Sequence, residues 1–233
     1  MRTTERDKLL LVLAITSGSA DAWSFLGVGH AFVANMTGNT VLLGLGVSGA
    51  RPDVLHPLIA LIFYAVGVSI GSFLTRAVNQ DSIWDKAVSR VLFLEALLLI
   101  TSEAAWIRVR PAPTLLTTSA TLACIAAAIG LQSGSMLSLK LPGIVTTYIT
   151  GTWTLLMSGL VKMDTRRARL REDKATFEAR QMIQVVFLAT YFLSALAAGC
   201  AFRFVPAIMG VITAIPILIA ATYGAIRSGT PTR

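Results

Sequence analysis

Charged residues are scarce in this chain of 233 residues, at 14%, whereas 55% of its residues are hydrophobic. Ordinary soluble domains carry roughly 25% charged residues. Six stretches contain no Asp, Glu, Lys or Arg, namely 22–50, 54–75, 111–139, 141–161, 181–202 and 204–226. A helix needs about 20 apolar residues to cross a membrane core. The composition therefore excludes a disordered chain, argues against a soluble domain and predicts several membrane crossings.

Cysteine and histidine are also rare, with two of each. Cys124 and Cys200 lie in apolar runs beside small residues, so we expect both to be packing residues rather than parts of a disulfide or metal framework. Walker and nucleotide-binding glycine patterns are missing from the sequence. The run from Gly130 to Gly134 has two residues between Gly130 and Ser133, which is one too many for the Gly-x-Ser-Gly motif of an intramembrane serine nucleophile. These absences predict a protein that is not an enzyme and binds no cofactor or metal.

The remaining charge is mostly basic, with 20 Lys and Arg against 12 Asp and Glu. Residues 162–180 carry seven of the basic residues. A basic loop between apolar spans is typical of the cytoplasmic side of a membrane, and it attracts anionic lipid headgroups. Neither aromatic residues nor glycines interleave these charges in a nucleic-acid-binding pattern. We therefore expect the lipid bilayer, and no nucleic acid, as the partner of 162–180.

Eight apolar segments follow one another along the sequence. Each is predicted to be helical, because helices satisfy their own backbone groups in lipid and the alternation of a barrel strand is absent. Counting six or eight crossings, 15 basic residues fall on the side of both termini and 5 on the other. This bias predicts that both termini face the cytoplasm. The segments are 9–26, 31–49, 54–76, 88–107, 113–139, 144–162, 181–202 and 204–227.

The first segment resembles a secretory signal, since small residues at 19–22 follow an apolar run. Glu5 and Asp7 dilute its positive start, and further apolar segments follow at once. We therefore expect an uncleaved first span, with cleavage as the alternative. Asn35 and Thr37 fit a glycosylation pattern, but their place within an apolar run favours another role.

Two regions of the sequence look like copies of each other. Thr37-Gly38 and Thr150-Gly151 are the two Thr-Gly pairs of the chain, and Ser-Gly-Ser occurs at 17–19 and again at 133–135. We therefore predict a single integral membrane domain over 1–233, built from two related halves, 9–107 and 113–227. Broken or re-entrant helices are expected near 17–40 and 130–152. Halves of three crossings would be inverted relative to each other, and halves of four would be parallel.

Several of these stretches resemble one family of bacterial membrane proteins. They are Ser17-Gly18 followed by Asp21-Ala22, the run FVANMTGN at 32–39, Gly130-Leu131-Gln132, and the run TTYITGT at 146–152. Together they are similar to the YoaK family of multi-pass inner-membrane proteins, catalogued as a domain of unknown function. The resemblance covers almost the whole chain. It implies a membrane location and a helical fold, and it implies no reaction.

Polar residues within apolar segments indicate where a solute would bind. Interrupted helices in corresponding places of two halves are typical of the central site of a transporter, and neutral amides and hydroxyls there suit a small polar or anionic solute. Asp21 and Glu95 are candidates for coupling a proton or cation. Asp21 has the alternative role of accepting backbone N–H groups at a helix break. The candidate binding residues are Asn35, Thr37, Gly38, Asn39, Gln132, Thr147, Thr150, Gly151 and Thr152.

The sequence therefore predicts an all-α polytopic membrane protein of six to eight transmembrane helices. The favoured function is a secondary transporter or channel-like permease, whose site lies between the two Thr-Gly stretches. A membrane scaffold or sensor without transport is the alternative, and a membrane-embedded enzyme is less favoured. A purely structural interpretation also stands, in which Thr and Gly only allow close helix packing, as expected for Gly67-x-x-x-Gly71 and Gly130-x-x-x-Gly134.

Overall fold

The computed structural model describes residues 5–77, 84–138, 149–162 and 174–227, and these parts of the chain are helical without a strand. A π-helical turn, Ser24–Val28, extends α1, and a 3-10 turn, Pro206–Ile208, precedes α8. The all-α fold is confirmed. The helices are α1 (Glu5–Trp23), α2 (Met36–Val47), α3 (Leu55–Leu74), α4 (Lys86–Val109), α5 (Leu115–Leu137), α6 (Ile149–Lys162), α7 (Lys174–Phe202) and α8 (Met209–Arg227).

Helix length separates the helices into two groups. Five spans in α1, α3, α5, α7 and α8 are long and apolar enough to cross a membrane. The 24 residues of α4 give it a similar length, although it contains Glu95 and Glu103. In contrast, α2 has 12 residues and α6 has 14, or about 18 and 21 Å at 1.5 Å per residue. Neither reaches across a hydrocarbon core of about 30 Å, so six crossings fit the helix lengths better than eight.

The six long helices alternate in direction. Gly18 of α1 packs on Tyr191 and Gly27 on Phe202, so α1 and α7 run parallel. Gly210 packs on Trp23 of α1 and on Glu103 of α4, and Gly224 packs on Trp84, so α8 runs opposite to both α1 and α4. The end of α1, at Gly29, meets His56 of α3 and Leu122 of α5 near the starts of those helices. The start of α1 and the end of α8 consequently lie at the same end of the bundle.

The closest approach in the bundle joins α3 to α5. A Cβ atom on Gly130 would collide with the carbonyl oxygen of Tyr64 and lie 2.9 Å from the Cα atom of Gly67. A Cβ atom on Gly71 or on Gly134 would likewise collide with the backbone of the facing helix. Small residues allow backbones to pack this closely in membranes. The close packing predicted for the two Gly-x-x-x-Gly pairs is therefore confirmed.

The polar residues within α1 and α5 do not break these helices, although the loss of apolar character in the sequence predicted breaks there. The helix α5 continues through 133–135 to Leu137, and α1 continues through 16–21. Their hydroxyl groups bond within their own helices, as Ser17 does to the carbonyl of Leu13 at 3.3 Å and Ser133 to that of Ile129 at 3.1 Å. A buried hydroxyl with such a partner needs no helix break. The break in the first half instead follows Val28.

Two further expectations change. The helix α7 begins at Lys174, seven residues before the predicted apolar segment. Cys124 and Cys200 are exposed on the surface of the bundle and are not core packing residues. Glu103 is fully buried, and its carboxyl group faces the backbone N–H groups of Met209 and Gly210 near the start of α8. The core itself is formed by apolar side chains of α1, α4, α5 and α8, with Phe187 from α7.

Candidate functional site

A cavity of about 420 Å³ lies between the two Thr-Gly stretches. Tyr64 is the tenth residue of the 20-residue span of α3, and Tyr191 is the eleventh residue of the 22-residue span of α7. Because both tyrosines lie halfway along their spans, the cavity lies near the middle of the bundle. Its wall is formed by Ala34, Asn35, Met36, Thr37, Tyr64, Ile149, Thr150 and Tyr191.

One wall is the start of α2 and the segment before it. Asn35 caps α2 by accepting a hydrogen bond from the backbone N–H of Gly38 at 3.0 Å. Asn39 is fully buried, where it accepts from the N–H of Phe32 at 2.9 Å and donates to the carbonyl oxygen of Phe32 at 2.6 Å. Asn35 and Thr37 thus face the cavity, whereas Asn39 holds the segment in place behind it. Gly38 packs on the Phe32 ring.

That segment folds back along α1 before α2 begins. After the π-helical turn the chain returns to the level of Asp21, where the N–H groups of Val33 and Ala34 donate to its carboxylate oxygen Oδ1 at 2.8 and 2.7 Å. Arg51, beyond α2, donates to the carbonyl of His30 at 3.1 Å. The stretch from 30 to 51 therefore enters the bundle and leaves at the same end. This is the geometry of a re-entrant segment.

Asp21 is the most heavily bonded polar side chain near the cavity. Its Oδ1 also accepts the N–H of Asn35 at 3.4 Å, and its Oδ2 accepts a short hydrogen bond from the hydroxyl of Tyr191. The side chain is only 5% exposed. The predicted role of Asp21 as an acceptor of backbone N–H groups is present, and the structure adds a link to α7 through Tyr191.

The opposite wall comes from the second Thr-Gly stretch. Ile149 and Thr150, the first two described residues of α6, contribute to the cavity. Thr152, one residue beyond Gly151, is buried in the bundle. Thr147 lies outside the described residues. The structure thus brings Asn35, Thr37 and Thr150 of the predicted set to one cavity.

Gln132 and Glu95 lie elsewhere in the interior. The amide nitrogen of Gln132 donates to the Ser17 hydroxyl at 3.1 Å, which joins α5 to α1. Glu95 is fully buried in α4, and its two carboxyl oxygens have no hydrogen-bond partner among the described residues. Neither residue belongs to the cavity wall described above.

Sequence analysis missed the two tyrosines of the cavity. Tyr191 stands within an apolar stretch of α7 and is 170 residues from Asp21, so no local pattern links them. A weak signal existed, because a tyrosine within an apolar span needs a partner for its hydroxyl. Tyr64 has the same kind of position in α3.

A larger cavity, of about 610 Å³, lies at the end of the bundle where α1 and α7 finish. Its wall includes Arg110, Trp106 and three prolines of the connecting segments. Residues of the Thr-Gly stretches do not contribute to this wall. Since it joins helix ends rather than helix centres, it has the features of a surface depression between loops.

Comparison with known sequences agrees with the resemblance. The family described as "Protein of unknown function (DUF1275)" matches residues 9–223. The chain is also similar to UPF0700 transmembrane protein YoaK of Bacillus subtilis (strain 168), with 29% identity over 197 residues, which cover 82% of this chain and 81% of that protein. No solved structure matches. The resemblance to YoaK-like membrane proteins is therefore confirmed.

Proposed function

We propose that this chain, which belongs to the DUF1275 family and folds as a polytopic membrane protein, is a secondary transporter or channel-like permease for a small polar or anionic solute. One observation carries the proposal. A cavity near the middle of the bundle is walled by Thr37 from one interrupted stretch and by Thr150 from the other. Transporter sites recur in this position, near the bilayer midplane between two halves of a chain.

The groups around the cavity define the solute class. The N-terminus of α2 lies at the cavity, and helix N-termini offer N–H groups with a positive dipole end. Asn35 and the hydroxyls of two threonines and two tyrosines add neutral hydrogen-bonding groups. Lysine and arginine do not contribute to the described wall. This set favours a small solute with several oxygen atoms, neutral or singly negative.

The packing of the helices supports a duplication with inverted halves. If α1, α2, α3 and α4 are matched in order with α5, α6, α7 and α8, each contact in one half has a counterpart. The contact of α1 with α7 corresponds to that of α5 with α3, the contact of α1 with α8 to that of α5 with α4, and the contact of α2 with α3 to that of α6 with α7. All six contacts are present. The directions agree, since α1 and α7 are parallel, as are α3 and α5. In this proposal the cavity lies where the two halves meet, and each half supplies one short helix to it.

Basic residues support an orientation for the bundle. Four basic residues of the described chain lie at the end where α1 finishes, namely Arg51, Arg108, Arg110 and Arg203. At least seven lie at the end where α1 begins, namely Lys8, Arg76, Lys86, Arg90, Lys174, Arg180 and Arg227. Lysine and arginine are retained on the cytoplasmic side. We therefore place both termini in the cytoplasm of a bacterial inner membrane. Much of the basic stretch proposed to contact lipid headgroups, 163–173, lies outside the described residues.

Water access to the cavity provides the first test. Cys124 and Cys200 would be replaced by alanine, which their exposure should allow, and Thr37→Cys or Thr150→Cys would be introduced separately. A permease predicts that a charged, membrane-impermeant thiol reagent modifies both positions in membrane vesicles. The matched control is Ile219→Cys, on the exposed apolar face of α8, which should stay unmodified in lipid. Protection of both threonine positions would refute the proposed pathway.

Flux through purified protein provides the second test. Proteoliposomes would be assayed with glycerol by light scattering and with nitrate by an ion-selective electrode. The Thr37→Val and Thr150→Val variants should lower the flux of whichever solute passes, because each removes a hydroxyl group from the cavity. A scaffold or sensor instead predicts the same permeability as empty liposomes for both solutes. That result would remove the permease proposal.

A further inference from the structure

Asp21 joins three parts of the candidate site through one carboxyl group. It lies on α1, it accepts N–H groups from 33–35 on the cavity wall, and it accepts the hydroxyl of Tyr191 on α7. Gly18, one turn earlier on α1, packs directly on the Tyr191 backbone. The close helix contact therefore fixes the tyrosine beside the aspartate, and Tyr191 itself lines the cavity.

The partners of Asp21 suit a proton better than a metal cation. Four hydrogen-bond donors point at the carboxylate, three from backbone N–H groups and one from Tyr191. A hard cation would require several oxygen ligands around it, whereas the N–H groups present their positive ends. A proton needs only one lone pair, and Oδ2 faces a hydroxyl group that can reverse its hydrogen bond.

We propose that Asp21 and Tyr191 link a proton to a small monoanion in the cavity. With Asp21 ionised, Tyr191 donates its hydroxyl proton to Oδ2, and the negative charge opposes an anion nearby. With Asp21 protonated, the carboxyl O–H donates to the Tyr191 oxygen, and the tyrosine O–H turns toward the cavity as a donor for the anion. This inference rests on the proposed permease function and specifies it as proton–anion symport.

The proton in this exchange comes from solution and enters the cavity as a hydronium ion. Tyr191 passes its hydroxyl proton to Oδ2 of Asp21 and takes the proton of the hydronium ion, which becomes water, so the tyrosine is unchanged overall. Asp21 goes from one negative charge to none, and the anion brings one negative charge. The loaded and empty states of the site therefore carry the same net charge.

Few other charged groups act on this pair. Tyr191 from α7 is the titratable side chain in contact with Asp21, and Tyr64 from α3 is the second titratable group on the cavity wall. The segment 33–35 presents backbone N–H groups. On its other sides α1 meets neutral partners, with Gln132 of α5 at Ser17 and the Thr213 carbonyl of α8 at Thr16. Glu95 lies on α4 and outside the cavity wall.

Two substitutions should have opposite effects. In Asp21→Asn, the amide oxygen can accept the backbone N–H groups while the amide nitrogen donates to Tyr191, which imitates the protonated state. This variant should bind an anion at every pH. Tyr191→Phe removes the donor that faces the anion, so it should bind weakly at every pH. Tyr223→Phe, on α8 and outside the cavity wall, is the matched control for loss of a tyrosine hydroxyl.

Nitrate is the probe, because it is a small planar monoanion of a strong acid and carries no proton itself. Binding to the purified full chain would be measured by calorimetry at about pH 5 and about pH 8. The wild type should bind about tenfold more tightly at the lower pH, a typical size for coupling between two sites. Asp21→Asn should lose this dependence and match the tight state, and Tyr191→Phe should match the weak one.

Infrared spectra of the protein in membranes test the proton without any anion. A protonated-carboxyl band that appears as the pH falls should be missing in Asp21→Asn and retained in Glu95→Gln. An unchanged band in Asp21→Asn, nitrate binding independent of pH in the wild type, or no nitrate binding at pH 5 would each overturn the inference. Flux of glycerol, or nitrate flux that does not depend on pH, would support the permease proposal and contradict proton–anion symport. Absence of flux for both solutes would refute the permease proposal itself.

Discussion

The two parallel helix crossings of the bundle have the same direction but opposite chemistry. Where α3 meets α5, glycine faces backbone along two helical turns, with Gly67 and Gly71 against Gly130 and Gly134. Where α1 meets α7, Gly18 packs on the Tyr191 backbone and is followed after one turn by Asp21 and its bond to Tyr191. The comparison indicates that one crossing fixes the framework and that the other, with room for polar side chains, holds the candidate site.

The sharpest test of this division is to place a side chain in the first crossing. Gly130→Ala should destabilise the fold by about 3 kcal/mol or more, because its Cβ meets the Tyr64 carbonyl and the Gly67 Cα. Size-exclusion profiles and thermal unfolding in detergent would measure the loss. Gly199→Ala is the matched control, since a Cβ there meets no atom within 4 Å. Equal stability of the two variants would contradict the framework role.

The same change in the second crossing should cost less. Gly18→Ala brings a Cβ against the Ser194 hydroxyl, which can rotate away, and to 2.5 Å from the Tyr191 carbonyl. We expect a loss of about 1–3 kcal/mol, with a larger relative loss of flux because Tyr191 shifts. Thermal unfolding and proteoliposome flux would be measured on the same preparation. A loss as large as that of Gly130→Ala would remove the difference between the crossings.

Loss of the Asn39 side chain should loosen the cavity wall that it holds in place. Asn39→Ala leaves the N–H and carbonyl groups of Phe32 without their side-chain partner. Removing a partner from buried polar groups costs about 1–3 kcal/mol, and the loosened wall should lower flux. Asn35→Ala, which removes one hydrogen bond from an exposed cap, is the milder comparison. Hydrogen exchange of 31–39 would show whether the effect stays in this segment.

The smallest effect on stability is expected for Thr150. Its side chain is exposed, so Thr150→Val should change the free energy of unfolding by at most about 0.5 kcal/mol. Flux should still fall, because Thr150 lines the cavity. Thr222→Val, an exposed threonine on α8, should leave both stability and flux unchanged. Parallel losses in both variants would point to general disturbance rather than to the cavity.

The sequence predicts the framework better than the site, for a physical reason. Small residues four apart in an apolar segment have few uses besides close packing, so the α3–α5 crossing was predictable from Gly67 and Gly130. The bond between Asp21 and Tyr191 depends on tertiary structure, and neither residue has a local pattern that names the other. Ser133 shows a different kind of error. From the sequence alone, a polar residue in an apolar segment suggests a helix break, but the Ser133 hydroxyl bonds within its own helix and α5 is continuous there.

The separation between Asp21 and Tyr191 also affects how the protein is made. More than four fifths of the chain must be synthesised before Tyr191 emerges, so α1 enters the bilayer with its carboxylate still lacking its partner on α7. The fixed crossing of α3 and α5 can form earlier, since both helices precede α7 in synthesis. The candidate site is therefore completed late in biogenesis, and truncations before α7 should leave an inserted but degradation-prone product.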